Sequence, residues 1–185
     1  MISKITPNLY IGEYLDVVGE SNQELIDKAE ALRTEGITHI VSLCSEGIED
    51  TQIENEKRAY NYSTFGWYHS PVPLSKELTA HMGKTDPFKF GLELALYEVH
   101  RILYNNPNAK VLVHCTAGID RSPFVVAAYL VRYNLMSLGE AYGLIKKVRP
   151  FVCEHHEWVW WEKPEPKQVS RVEVLCAQTN GDGKQ

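Results

Sequence analysis

Val111-Leu112-Val113-His114-Cys115-Thr116-Ala117-Gly118-Ile119-Asp120-Arg121-Ser122-Pro123 is the stretch whose reading decides this chain. An apolar run ends in His-Cys, a turn of small residues follows, and Arg121 opens an apolar segment long enough for a buried helix. The pattern predicts strand, loop and helix, with the cysteine at the strand end and the arginine at the helix mouth. A loop entering a helix leaves several backbone N–H groups unpaired. With the positive end of the helix dipole they make a site for a phosphate-sized anion. Successive N–H groups of a tight turn form the same kind of nest. Gly118 permits a turn that a side chain would obstruct. Arg121 can grip two phosphate oxygens with its planar fork. Cys115 lies at the base of this electropositive cup, an environment that favours a reactive thiolate. The expectation is that the cup binds phosphate and the thiolate attacks it.

Outward from that stretch, the chain of 185 residues is long enough for one domain with a real core. Its net charge of −5 gives no sign of a nucleic-acid partner. No basic and apolar leader opens it, and no segment approaches about 18 apolar residues, so a soluble cytoplasmic protein without membrane contact is expected. The cysteines at 44, 115, 153 and 176 show no C-x-x-C pair and no framework spacing. They read as reduced thiols, one of them reactive, with Cys44 as plain core.

Taken in order, residues 9–11 read as a short strand. Ser21-Asn22-Gln23-Glu24 has capping-box spacing, and Leu25, Ala29 and Leu32 recur at helical period until Gly36. Residues 40–44 read as a buried strand, 53–60 as a short helix, and 67–73 as extended because of Pro71 and Pro73. After a loop over 74–86, Asp86-Pro87 looks like an N-cap followed by proline at the first helical position. Leu92, Leu96, Val99 and Leu103 form one stripe that stops at Asn105-Asn106-Pro107. Residues 110–114 are the central strand, and 122–133, apolar nearly all round, a helix buried at the centre. Ser137 to Glu140 is a second capping box, opening a helix to Val148, and 154–162 reads as one more helix. Strands alternating with helices imply an α/β fold: a twisted, mostly parallel sheet of about five strands with helices on both faces.

His-Cys, five residues, Arg and then Ser is the signature of the cysteine-dependent protein tyrosine phosphatase superfamily. The flanks resemble its dual-specificity branch: Ile2 to Gly12 is similar to that branch's opening segment. Gly36 to Leu43 is similar to its second strand, and Leu138 to Pro150, with Glu140-Ala141 and Arg149-Pro150, to the helix and turn after the active site. The resemblance implies a dual-specificity-phosphatase-like catalytic domain over 1–162. From Lys163 the chain is rich in Pro, Lys, Gln and Gly, so 163–185 reads as a mobile polar tail. It further implies phosphorylated protein substrates, no cofactor, no metal, and a monomer. Cys115 is then the nucleophile, His114 the residue that orients the loop and supports the thiolate, and Arg121 the phosphate clamp. Thr116, Ala117, Gly118, Ile119, Asp120 and Arg121 form the phosphate-binding loop. Ser122 is the hydroxyl that helps the cysteine sulfur leave in the second step.

Loss of an alkoxide or phenoxide needs a proton, so a carboxylic acid should stand near the loop. The family takes it from an Asp some thirty residues before the cysteine. Asp86, 29 residues before Cys115, is the one Asp between Asp50 and Asp120, although the family pattern points slightly earlier, to His81, Met82, Gly83 and Lys84. Asp120 is the second candidate, because an Asp just before the arginine resembles the loop of the myotubularin lipid phosphatases. A carboxylate beside a bound dianion is unfavourable, so it must be protonated, turned away or paired. His155-His156-Glu157 is not read as a metal site, since neighbouring histidines on a helix point apart. Trp158, Trp160 and Trp161 read as packing, with a carbohydrate platform as the alternative, and Lys146, Lys147 and Arg149 as a solvated helix end. The loop also resembles that of plant glucan phosphatases, so phosphoglucan is a rival substrate class, phosphoinositide a weaker one, and a phospho-binding pseudophosphatase the non-enzymatic alternative.

Overall fold

The structure is a computed structural model that describes residues 1–61, 65–73 and 87–159. Five strands form one sheet: β1 (Ser3–Thr6), β2 (Leu9–Glu13), β3 (His39–Ser42), β4 (Gly66–His69) and β5 (Val111–Cys115), in the order β1-β2-β5-β3-β4. Four strands run parallel, and β1 pairs antiparallel with β2 at the edge. The helices are α1 (Tyr14–Val17), α2 (Asn22–Thr34), α3 (Asp50–Asn61), α4 (Pro87–Asn105), α5 (Arg121–Asn134) and α6 (Leu138–Val148), followed by a 3-10 turn at His156–Trp158.

β5 lies at the centre, paired with β2 on one side and β3 on the other. Side chains alternate across a strand. Val111, Val113 and Cys115 pack with Leu96 of α4, Phe124 of α5, and Tyr142 and Ile145 of α6. Leu112 packs on the opposite face with Tyr10, Ile40, and Leu25 and Leu32 of α2. Strand alternation puts His114 with Leu112, so His114 and Cys115 leave the strand end on opposite faces. α5 buries ten residues, among them Arg121, Ser122 and Phe124. Each fully buried large side chain contributes about 1.5–3 kcal/mol, so the helix that carries the arginine is firmly seated. The capping box at Ser137 forms in full, Ser137 Oγ accepting from Glu140 N at 3.3 Å and Glu140 from Ser137 N at 2.8 Å. At Ser21 only half of it forms: Ser21 Oγ accepts from Glu24 N at 3.2 Å, while the Glu24 carboxylate accepts from Glu20 N.

Three segments differ from expectation. β1 is a strand that alternation over so few residues did not signal, and it gains its ladder only by pairing with β2. The extended segment at 67–73 is a strand only over Gly66–His69, since proline cannot continue a ladder. Over its described part, 154–159, the helix expected at 154–162 is corrected to the 3-10 turn: His155 and Val159 take non-helical dihedrals, and the side chain of His155 is engaged by the loop after β5. Asp86, Trp160, Trp161, and the tail over 163–185 lie outside the described residues. Among the described residues no helix is long and apolar enough to cross a membrane.

Candidate active site

The loop Cys115–Arg121 joins β5 to α5, and its carbonyls all have outward partners. Thr116 O accepts from Tyr14 N at 3.0 Å, Ile119 O from Cys153 N at 3.1 Å, and Asp120 O from Phe124 N at 3.0 Å. Ala117 O and Gly118 O accept from Arg149 Nη2 and Nε at 3.5 and 2.8 Å. With its carbonyls turned out, the loop turns its N–H groups in. Gly118 N points at Cys115 Sγ, 3.3 Å away. None of the N–H groups of Thr116, Ala117, Ile119 and Asp120 has a protein acceptor among the described residues. The arrangement is a concave nest of backbone donors.

Gly118 sits at φ 65°, and a Cβ there would lie 2.7 Å from Gly12 O and collide with the Arg149 guanidinium. Arg149 is thus not a solvated helix end. It is 2% exposed and also donates to Met1 O at 3.0 Å and Ser3 Oγ at 3.3 Å, tying the loop's back to the β1 edge. No local sequence signal separates it from Lys146 and Lys147, although Arg149-Pro150 belongs to the family resemblance.

Cys115 is 2% exposed, at the base of the nest. Ser122 Oγ lies 3.3 Å from its sulfur and 3.3 Å from Gly12 O. A hydroxyl donor there can stabilise a thiolate. Arg121 is held by Glu49 through a fork: Nη1 to Oε2 at 2.8 Å and Nη2 to Oε1 at 2.9 Å. Nη1 also faces Leu43 O and Val72 O at 3.0 Å, and Nη2 faces Thr116 Oγ1 at 3.1 Å. Arg121 Nε has no acceptor among the described residues. Thr116 Oγ1 also hydrogen-bonds Glu49 Oε1. Glu49 went unread in sequence because it lies 72 positions from its partner in an irregular polar segment.

Behind the loop, His114 is fully buried, neither ring nitrogen has a hydrogen-bond partner among the described residues, and the Glu56 carboxylate lies 3.6 Å from Nε2. Glu56, on α3, is fully buried, accepting from Cys44 Sγ and Trp67 Nε1 at 3.3 Å each. Cys44 is therefore core, as expected, but with a polar partner. Burial and the Glu56 charge push its thiol well above the usual range. The donor atoms of Cys44, Glu56 and His114 lie within 4.8 Å of one another, an N, O and S set that a divalent cation could use. Burial alone would raise the Glu56 carboxyl, but His114 chiefly outweighs it and leaves it below the ordinary range.

Asp120 caps α5 in position only, with no side-chain cap bond. Its carboxylate instead meets His155 Nε2 at 2.8 Å. Trp158 is not an open platform: His155 stacks on it at 3.6 Å, and Phe88 and Phe124 meet it edge-on at 4.7 and 5.3 Å.

Burial alone would raise the Glu49 carboxyl as well. The Arg121 fork and the Ser45 N–H outweigh it, so it too lies below the ordinary range. A depressed folded-state value means stability present above the unfolded value, about 4.3, and lost as pH falls through the folded one. Glu49→Gln should therefore flatten the acid limb of melting temperature against pH. Near neutral pH it should cost about 3–5 kcal/mol, as breaking a buried pair does, and lower turnover at least about tenfold by freeing Arg121. Melts across the acid range with parallel kinetics check this; an unchanged acid limb and unchanged turnover would contradict it.

The family model for the dual specificity phosphatase catalytic domain matches residues 25–161. Dual specificity protein phosphatase 26 of Bos taurus is 29% identical over 146 residues, covering 79% of this chain and 57% of its own length. The tyrosine-protein phosphatase vhp-1 of Caenorhabditis elegans is 26% identical over 158 residues, covering 85% of this chain and 20% of its own. The chain thus spans little more than half of the first relative and a fifth of the second. In fold it is similar to the human tyrosine phosphatase-like serine/threonine/tyrosine-interacting protein, with a TM-score of 0.64 at 22% identity, covering 85% of this chain and 90% of that one. A nest of N–H groups around Cys115, an anchored arginine six residues on and the match over most of the chain together assign this chain to the dual-specificity phosphatase catalytic-domain family.

Proposed function

We propose that this chain is a protein phosphatase that hydrolyses phosphotyrosine and phosphoserine or phosphothreonine monoesters without metal or cofactor. It acts as a cytoplasmic monomer, with its catalytic domain over 1–162 and a polar tail over 163–185. The observation that carries the reading is the nest itself: loop carbonyls fixed outward, N–H groups inward over the Cys115 sulfur, and Arg121 held by Glu49 with no acceptor on its Nε among the described residues. Preorganised donors of this kind stabilise the charge that develops on the equatorial oxygens.

The steps follow from the positions. The phosphoryl group seats on the loop N–H groups and on Arg121. The Cys115 thiolate attacks phosphorus in line while the P–O bond to the leaving group breaks, and an acid protonates that oxygen. Water then attacks the cysteinyl phosphate, the S–P bond breaks, and Ser122 Oγ, 3.3 Å from the sulfur, stabilises the departing thiolate. We assign the acid to Asp86. Asp120 is already engaged by His155 at 2.8 Å. Asp86 stands at the family's distance from Cys115, just ahead of Pro87, which opens α4.

Purified protein should turn over an aryl phosphate and phosphopeptides in the presence of EDTA, and faster than phosphoglucan or phosphoinositide. Cys115→Ser should melt like the wild type, bind oxyanion and turn nothing over, because a serine hydroxyl does not ionise near neutral pH. Turnover by the Ser variant, or an EDTA-sensitive activity restored by metal, would defeat this mechanism.

The acid is tested by leaving group. Asp86→Asn should cost roughly 10²–10⁴-fold in kcat on phosphotyrosine peptide and far less on an activated aryl phosphate, whose leaving oxygen needs no proton. A plain N-cap would cost about 1 kcal/mol of stability with no such dependence. If Asp120→Asn carries the leaving-group signature and Asp86→Asn only melts earlier, the acid comes from the loop.

A further inference from the structure

Asp120 poses an electrostatic problem for a phosphate loop. Its carboxylate adjoins Arg121, in the loop that has to accept a dianion, and unopposed charge there would repel the substrate. The structure supplies a partner that sequence reading passed over. His155 Nε2 lies 2.8 Å from Asp120 Oδ1, and its other nitrogen, Nδ1, lies 2.8 Å from Glu157 Oε1. Ionised carboxylates only accept, and a neutral imidazole has a single N–H to give. Both contacts are hydrogen bonds only when both nitrogens carry protons, so this geometry belongs to the imidazolium.

The ring is fixed in place. It lies flat on the Trp158 indole, 4° from parallel, with Trp158 wedged against Phe88 and Phe124. Its own backbone N–H donates to Tyr142 Oη at 3.1 Å, and Cys153 N ties the same segment to Ile119 O of the loop. The His155 side chain is 18% exposed and that of Asp120 46%, so solvent reaches the pair from the Asp120 side.

We propose that His155 is a positioning residue whose positive charge neutralises Asp120 and lets the phosphate loop accept a dianion, so that oxyanion affinity follows the protonation of His155. This rests on the phosphatase reading above. The other charged and titratable groups around the pair are accounted for. Glu157 takes the second ring nitrogen. Glu154 is paired with Lys146 and His156. The Cys153 thiol stands beside Asp120, the Tyr142 hydroxyl accepts from the backbone, and Arg121 is turned to Glu49. Among the described residues, His155 is the one ion-pair partner of Asp120.

The test is a double-mutant cycle read on tungstate inhibition. His155→Ala and His155→Gln, the second keeping size and hydrogen bonding without charge, should each weaken tungstate at least about threefold near pH 6. The gap to wild type should narrow as pH rises, since a neutral imidazole brings no charge to Asp120. In an Asp120→Asn background the same two changes should have almost no effect, because the charge they leave unopposed is gone. Equal weakening in both backgrounds would make His155 merely structural, and no weakening in either would remove it from the site; each result overturns the proposal. A wild type that turns over aryl phosphate while the cycle shows no coupling sinks this inference alone. A wild type that neither turns over substrate nor binds tungstate sinks the phosphatase reading, and this proposal with it.

Discussion

The site depends on how the carbonyls of residues 116–120 are held. A short loop has a similar number of donors and acceptors, and it becomes an anion site only if its acceptors are satisfied elsewhere. Here Arg149 takes two of them from behind, backbone N–H groups from α1, from the segment after α6 and from within α5 take the rest, and the inner surface is left to the donors. Gly118 is where backbone and guanidinium come closest, and its positive φ and lack of a side chain let them meet. The nest is thus preformed by the packing of α6 and β1 against the loop, and substrate need not organise it.

Strand alternation then divides the labour between adjacent residues. Cys115 stays with the α4–α5–α6 face, while His114 faces α3, where the carboxylate of Glu56 is buried with it. A second carboxylate, Glu49, comes from the turn just before α3 and fixes Arg121. The stretch after β3, from the turn at Glu49 into α3, therefore places one carboxylate on Arg121 and another beside His114. Two buried carboxylates cost desolvation; the Arg121 fork offsets that of Glu49, and Cys44 Sγ and Trp67 Nε1 donate to Glu56.

Much of this was legible in the sequence. His-Cys-x5-Arg-Ser between an apolar strand and an apolar helix specifies the loop, because each residue type has a local reason to be there. The central strand, the buried α5 and the serine N-caps of α2 and α6 follow from periods of two and 3.6 and from local side-chain to backbone bonds. Glu49, Glu56, Arg149 and His155 were not legible, for a common reason: their partners lie 72, 58, 31 and 35 positions away, and no short-range pattern encodes such pairs. The helix expected over 154–162 failed for the same cause. Its His, Trp and Val residues are only middling helix formers, and over 154–159 the contacts of His155 to Asp120 and of Trp158 to Phe88 and Phe124 hold the segment out of a helix.

The account stands on a phosphoryl group passing through the Cys115 sulfur. Quenching the protein in acid during steady turnover of an aryl phosphate, then mapping its peptides by mass, reads that step directly. The account predicts one added phosphoryl group, on the peptide that contains Cys115. Sustained turnover with no phosphorylated peptide, or with the group on a histidine or serine elsewhere, would contradict it.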